Sequence, residues 1–484
     1  MTNTNVLPWR TWLTAALVAA MAVLVGGLAD RHPNYALGLA ALMLVTLLAF
    51  MAPVTHLTIL LALTTIVPYA IEDRYHLGGA GTGGGGLQAS DVFLLTGLLR
   101  LAFVMPGLRL TRRQYIVIGL LVLSLLYTTF EAWQGFRAGQ TLANVGAEYR
   151  FLAGGFAFAL IVMATLAGRG AYPRMLRGLL VLGVALGLWG IAQWFLGVGF
   201  NTDFGVRPGV SLTTGGVGQL QGGLFAFPVA VTLAAAALIS GKLSGWRQRS
   251  ATLAVLALNA TSLLLTFERT FWVATAVAVL LVALRSERSR RIRALLSIAV
   301  CVAMGVTVLA AVSPSTLRTA EQRLLSIGQY QTDNSVRYRN VESQFVLAKI
   351  RAKPLLGWGL ADNIYWAQPW LKSGPPTEES YTHVGYLWLL WREGALGAGV
   401  MLLLLLLSCL WPGRARGGEL VAAIKVGSQM SLVALLIVNI TFPVFNQGSQ
   451  AVYMVGFMVA CCALPVLGAR ETSPLRRRRA EAEA

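Results

Sequence analysis

Apolar runs of about 20 residues recur along this chain from end to end, which is the length a helix needs to cross a bilayer. No other feature limits the fold so sharply. In lipid a backbone must satisfy its own hydrogen bonds, so only helices and closed barrels span. The strand-like alternation that a barrel carries does not appear. Only 12% of the 484 residues are charged, against roughly 25% in a soluble domain. The expected fold class is an all-α polytopic membrane protein. Spans are expected near 11–29, 35–52, 56–70, 90–105, 114–131, 150–168, 175–198, 216–240, 250–266, 269–285, 294–312, 381–410, 420–441 and 449–468. That makes about 14 transmembrane helices (12–14), with one large external loop containing an amphipathic helix. The run from Leu13 to Leu28 lacks a convincing small-residue cleavage site, so it is expected to be the first helix and not a signal peptide.

Charge supplies the orientation. A net charge of +19 would suggest nucleic acid in a soluble protein. Here the basic residues sit at the ends of apolar runs, as in Arg109/Arg112/Arg113 and Arg288/Arg290/Arg291/Arg293. That is cytoplasmic anchoring to anionic lipid, so the bilayer is a partner and nucleic acid is not. Arg169/Arg174/Arg177, Lys242/Arg247/Arg249, Arg414/Arg416 and the tail Arg476–Arg479 fall on the same side. The alternate loops carry single arginines: Arg31, Arg74, Arg137, Arg207 and Arg269. The expected arrangement is a multi-pass membrane protein with both termini cytoplasmic. Transmembrane helices 1–11 would occupy residues 1–312, a large external loop 313–380, helices 12–14 residues 381–468, and a basic tail 469–484. Cys301, Cys409, Cys461 and Cys462 all lie within apolar runs, which argues against a disulfide framework or a thiolate metal site.

Three external segments stand apart. Residues 71–90 include a glycine-rich stretch, Gly78 to Gly86, that neither follows a strand nor opens a nucleotide-binding helix, so a flexible linker is expected. Residues 199–215 hold Asp203, Arg207 and Ser211 on an irregular loop. Residues 313–380 are far longer, and loops of such length are usually functional. Within them Asp333-Asn334-Ser335 caps a helix expected to run to about Lys353. Val341, Phe345, Val346 and Ile350 share one face of it, expected against the membrane surface. Pro354 and Gly357 stop the helix, and Pro375-Pro376 with Glu378-Glu379 mark an exposed turn.

Charged groups at the mouth of a membrane are functional hypotheses by default. Arg150, Arg207, Arg269, Arg337 and Arg339 meet that description on the outer side. Singly, each has a bland explanation as a snorkelling side chain or an ion-pair partner, Arg269 with Glu268 for instance. Together they suit a diphosphate, because guanidinium groups offer bidentate donors and keep their charge. His383, set just before an apolar run, is placed to take a proton at neutral pH. Its bland alternative is an interfacial histidine bonded to a backbone carbonyl. His32, His56 and His76 read as loop residues without metal-ligand spacing. Glu72-Asp73 is a weak candidate for a divalent cation, so the expectation is no metal and no cofactor.

Asn334-Ser-Val-Arg-Tyr-Arg339 running into Ala352-Lys-Pro-Leu-Leu-Gly-Trp-Gly359 resembles the large-loop signature of the O-antigen ligase and polymerase superfamily of bacterial inner-membrane glycosyltransferases. His383, then ten residues, then Gly394-Ala-Leu-Gly397, resembles the ligase histidine motif and its glycines. Thr266-Phe-Glu-Arg-Thr270 is similar to the family's Ser-Arg at a helix head, and Arg207-Pro-Gly209 to its arginine before a small-residue run. Val384 and Glu268 depart from the usual residues at their positions. The resemblance covers roughly residues 200–400. By it the membrane is a bacterial inner membrane and the 313–380 loop is periplasmic. It implies metal-independent, inverting transfer of glycan from undecaprenyl diphosphate to an acceptor sugar, either lipid A–core or a growing polysaccharide. His383 would be the base, and Arg207, Arg269 and Arg339 would grip the donor.

Three functions stay open. The first is a ligase-like transferase, the second an O-antigen or exopolysaccharide polymerase, and the third a flippase for lipid-linked oligosaccharide. An enzyme should gather His383 and the arginines at one outward site. A flippase should hold a central cavity between two similar bundles, and no internal repeat pairs the halves of this sequence.

Overall fold

Each expected span from residue 35 onward contains helix among the described residues, and the isolated described positions within 294–312 are helical as well. The computed structural model describes residues 33–66, 89–108, 110–167, 171–196, 223–240, 243, 245–286, 314–325, 334–366, 377–410, 419–446 and 449–463, with isolated positions between 291 and 311. The span expected at 11–29, the segment 71–88 with Glu72-Asp73 and Gly78–Gly86, the 199–215 loop with Arg207, Cys301, His32, His76, Pro375-Pro376 and the basic tail lie outside the described residues.

The helices are α1 (Pro33–Met51), α2 (Pro53–Thr65), α3 (Ala89–Val104), α4 (Arg112–Arg137), α5 (Leu142–Leu166), α6 (Ala171–Leu196), α7 (Ala226–Ser240), α8 (Trp246–Leu265) and α9 (Arg269–Leu284). In the long loop lie α10 (Pro314–Leu325), α11 (Asn334–Ala352), β1 (Ile364–Trp366) and β2 (Thr377–Glu379). Helices α12 (Gly385–Leu410), α13 (Glu419–Val438) and α14 (Ser449–Ala463) complete the order. Five described helices are long and apolar enough to cross a membrane, and five shorter apolar ones pack with them.

Local chemistry sets the boundaries. Pro53, in the first turn of α2, lacks an N–H to continue α1, so the two helices meet at Ala52. A capping box between Thr111 and Gln114 starts α4. The Thr141 hydroxyl accepts from the Asn144 amide, 3.2 Å, and starts α5 well before residue 150. Glu148 and Arg150 therefore stand inside this helix and not at its mouth.

Close approach of helices replaces the hydrophobic drive that lipid removes. Gly154 and Gly155 of α5 face Val452 and Tyr453 of α14, and a Cβ at Gly154 would lie 2.7 Å from the Tyr453 hydroxyl. Helices α6 and α8 add polar bonds to the same device. Asn259 Nδ2 donates to the Gly183 carbonyl at 2.8 Å, and Ser262 Oγ to that of Gly187 at 3.0 Å. His56 is not a loop residue: it is buried in α2, its Nε2 3.0 Å from Thr96 Oγ1 of α3. Cys409, Cys461 and Cys462 are buried free thiols.

The helix ends form two rims. Near one, Arg285 at the end of α9 reaches to Gln429, midway along α13, and donates to it at 3.1 Å. At the other, Gly385 at the start of α12 donates to the Asn439 carbonyl just past α13, 2.9 Å, and Thr441 Oγ1 to Thr270 Oγ1 of α9, 2.7 Å. The long loop sits on this second rim, and two of its details depart from expectation. The apolar face of α11 packs on the bundle and not on a membrane surface: Val346 is fully buried, and Val341 and Ile350 lie against the core. Glu378 and Glu379 belong to β2 and not to a turn, because Ile364 pairs with Glu379 and Tyr365 with Glu378 in an antiparallel hairpin.

Candidate functional site

After α11 ends, Pro354–Asp362 folds down as a plug against a break in α12. The break is at Gly394, whose φ of +61° no neighbouring residue type adopts readily. Gly357 turns the loop at φ +69°. A Cβ on Gly357 would run into the Arg392 carbonyl, and one on Gly394 into that of Leu355. The groups freed by the break are taken up by the plug. Trp358 and Gly359 amides donate to the Trp391 and Arg392 carbonyls at 3.0 and 3.1 Å, while Ala395 and Leu396 amides donate to Pro354 and Leu355 at 2.8 and 3.2 Å. Leu360 donates to the Glu131 carbonyl of α4, 3.1 Å.

A buried ionic network rivets this plug in place. Arg392, fully buried, donates through Nη2 to Glu148 Oε1 at 2.8 Å and to the Ser380 carbonyl at 2.6 Å, and through Nη1 to the Asp362 carbonyl. The Asp362 carboxylate takes Lys349 Nζ and Trp391 Nε1, each at 2.8 Å. Glu148 Oε2 accepts the Ala361 amide, 2.8 Å. Removing one partner of such a pair strands a buried charge, typically about 3–5 kcal/mol.

His383 lies beside the plug under different rules. Its Nδ1 is 3.1 and 3.2 Å from the two oxygens of Glu342, a fully buried residue of α11. The same carboxylate accepts the His383 amide at 2.9 Å and the Thr382 hydroxyl at 3.1 Å. The ring stands edge-on between Tyr338 and Tyr381, with centroids 5.3 and 4.9 Å away. A carboxylate on Nδ1 places the proton there and leaves Nε2 as the basic nitrogen, on a side chain 24% exposed. Tyr338 donates to Glu379 Oε1, 3.2 Å. Burial, with Glu379 and Glu342 nearby, holds its phenol well above the usual range, so it stays a neutral donor.

The predicted arginines divide. Arg339 is one turn before Glu342 on α11, and its buried Nε makes no hydrogen bond among the described residues. Arg337 is on the same helix and exposed. Arg269 is the first residue of α9, after a tight turn in which Phe267 takes φ +53° with its ring buried. Trp272 Nε1 closes that turn onto the Leu263 carbonyl at 2.7 Å, and Phe225, Phe271 and Phe442 pack edge-on beside it. Arg269 and His383 thus flank one turn, Asn439–Thr441, which bonds Thr270 on one side and Gly385 on the other. Arg150 is ion-paired with Asp91 of α3 at 3.7 Å.

Glu342, Glu148, Asp362 and Arg392 are site or supporting residues that sequence reasoning passed over. For Glu342 a signal existed: a carboxylate three residues after Arg339 on a helix leading toward the histidine. An arginine inside an apolar run was the corresponding signal for Arg392. Residues 253–402 match the family model described as O-antigen ligase, a stretch that holds Arg269, α11, the plug and His383. No curated protein matches the chain.

Proposed function

From the chain's place in the O-antigen ligase and polymerase superfamily, we propose that it transfers glycan from undecaprenyl diphosphate to an acceptor sugar at the periplasmic face of the inner membrane. The observation that carries this reading is the buried Glu342 carboxylate on His383 Nδ1. It fixes the orientation of the ring and directs Nε2 away from Glu342. His383 Nε2 takes the proton of the acceptor hydroxyl, and the oxygen attacks the anomeric carbon from the face opposite the diphosphate. The new glycosidic bond forms as the bond to the diphosphate oxygen breaks, so configuration inverts and the carrier leaves with the electron pair. Glu342 stabilises the imidazolium. Arg339, one turn from Glu342 on α11, grips the diphosphate together with Arg269 and Arg207, and Arg337 assists from the rim, while Arg150 is held by Asp91. No metal is required by this scheme.

With the histidine rim periplasmic, the basic rim faces the cytoplasm, in keeping with about 14 spans and cytoplasmic termini. The acceptor is lipid A–core if the enzyme is a ligase, and the growing chain if it is a polymerase.

A strain deleted for this gene, complemented with wild type or His383→Ala at matched membrane levels, tests the proposal. Long glycan accumulating on the carrier over bare lipid A–core marks a ligase. Single repeat units on the carrier mark a polymerase. Full rescue by His383→Ala removes the proposed base and brings the flippase forward.

A further inference from the structure

The tip of the plug is apolar and turned outward: Leu355 is 61% exposed, Leu356 45% and Leu396, its hydrogen-bonded neighbour across the α12 break, 52%. Exposed leucines grouped in this way mark an interaction surface. The tip is tied to α4, whose Gln134 Nε2 donates to the Leu356 carbonyl at 3.3 Å. On α4, Leu126, Trp133 and Phe136 are exposed along a helix long and apolar enough to span, so that face meets lipid. Around the same level stand cations laid over indole rings: Arg137 over Trp133 at 5.0 Å, and Lys349 and Lys353 over Trp358 at 4.3 and 4.0 Å. Amphipathic aromatics with a ring of cations are the composition of a bilayer interface. We propose that the Pro354–Leu356 turn is seated in the leaflet on the histidine rim, with Leu355, Leu356 and Leu396 among acyl chains and Lys353, Arg351 and Arg137 at acidic headgroups. The lipid-facing side of α4 is thereby continued onto the long loop. Because α11 runs directly into this turn, the leaflet sets the height at which Glu342 and Arg339 stand.

The test uses the full chain in lipid nanodiscs, with its cysteines replaced and a nitroxide attached at Leu355→Cys, Leu356→Cys or Leu396→Cys. Labels at Leu126→Cys and at Asn340→Cys, an exposed position further back along α11, serve as the lipid and water references. The expected result is relaxation by oxygen well above that by a water-soluble nickel chelate, approaching the Leu126 label. A change from phosphatidylglycerol-containing to purely phosphatidylcholine discs should move the labels outward. Nickel accessibility equal to that at the Asn340 label would overturn the proposal. So would shielding from both relaxants, which would mean a protein surface covers the tip. Glycan transfer is not read in this experiment, so the anchor and the proposed chemistry stand or fall separately.

Discussion

The plug and the histidine pocket belong to the same loop and share α11, yet their polar groups are directed to different ends. In the plug every named charge turns inward, with Arg392 on Glu148 and Asp362 on Lys349 and Trp391. In the pocket Glu342 secures one face of His383, whose side chain stays 24% exposed. Among the described residues both regions leave one guanidinium Nε, of Arg392 and of Arg339, without a hydrogen bond. Access is what divides them: Arg392 is fully buried, whereas Arg339 and His383 are only partly covered.

The widest test of that division pairs one residue from each region. His383→Ala should lower transfer by about 10²- to 10⁴-fold while the purified protein keeps its thermal midpoint. Arg392→Ala should do the reverse, losing about 3–5 kcal/mol of stability and with it the amount of protein in the membrane. An Arg392→Ala protein of normal stability and no activity would erase the boundary between plug and pocket. Next in size, Glu342→Gln should reduce turnover roughly 10²-fold, leave the donor KM nearly unchanged, and recover in part with Glu342→Asp. Arg339→Ala should raise the donor KM by about tenfold, the loss of one charge-assisted hydrogen bond, with Arg339→Lys between it and wild type. Arg150→Ala should be smallest, under about 1 kcal/mol in stability, since its partner Asp91 is a rim residue. A loss of donor binding at Arg150 as large as at Arg339 would move Arg150 from the ion pair to the substrate.

Much of the fold was legible because lipid imposes a length rule on each helix separately. The apolar runs needed no partner to be recognised, and Pro53, Thr111 and Thr141 punctuated them locally. The glycines of Gly357-Trp-Gly359 also announced a turn, though not that its target was a broken helix. Charged pairs obey no such local rule. Glu342 bonds a histidine 41 positions away, and Glu148 an arginine 244 positions away. Nothing within either neighbourhood names the other. His383 and Arg339 were legible as candidate residue types, though not the carboxylate of Glu342 that stands between α11 and the histidine. That Arg150 is already engaged by Asp91 was not, since Asp91 belongs to a different helix.

The separation of Glu148 from Arg392 also orders events during synthesis. Helix α5 enters the membrane carrying a carboxylate whose counter-charge has not yet been made. A carboxylate in hydrocarbon is expensive, so the top of α5 must stay near water until α12 arrives. The Ala361 amide that the same carboxylate accepts comes equally late. The plug, and α11 held by it, therefore close only after residue 392 has joined the bundle. A ribosome-bound intermediate that ends between residues 339 and 392 carries the arginines of α9 and α11 without the bonds that fix the plug behind α11.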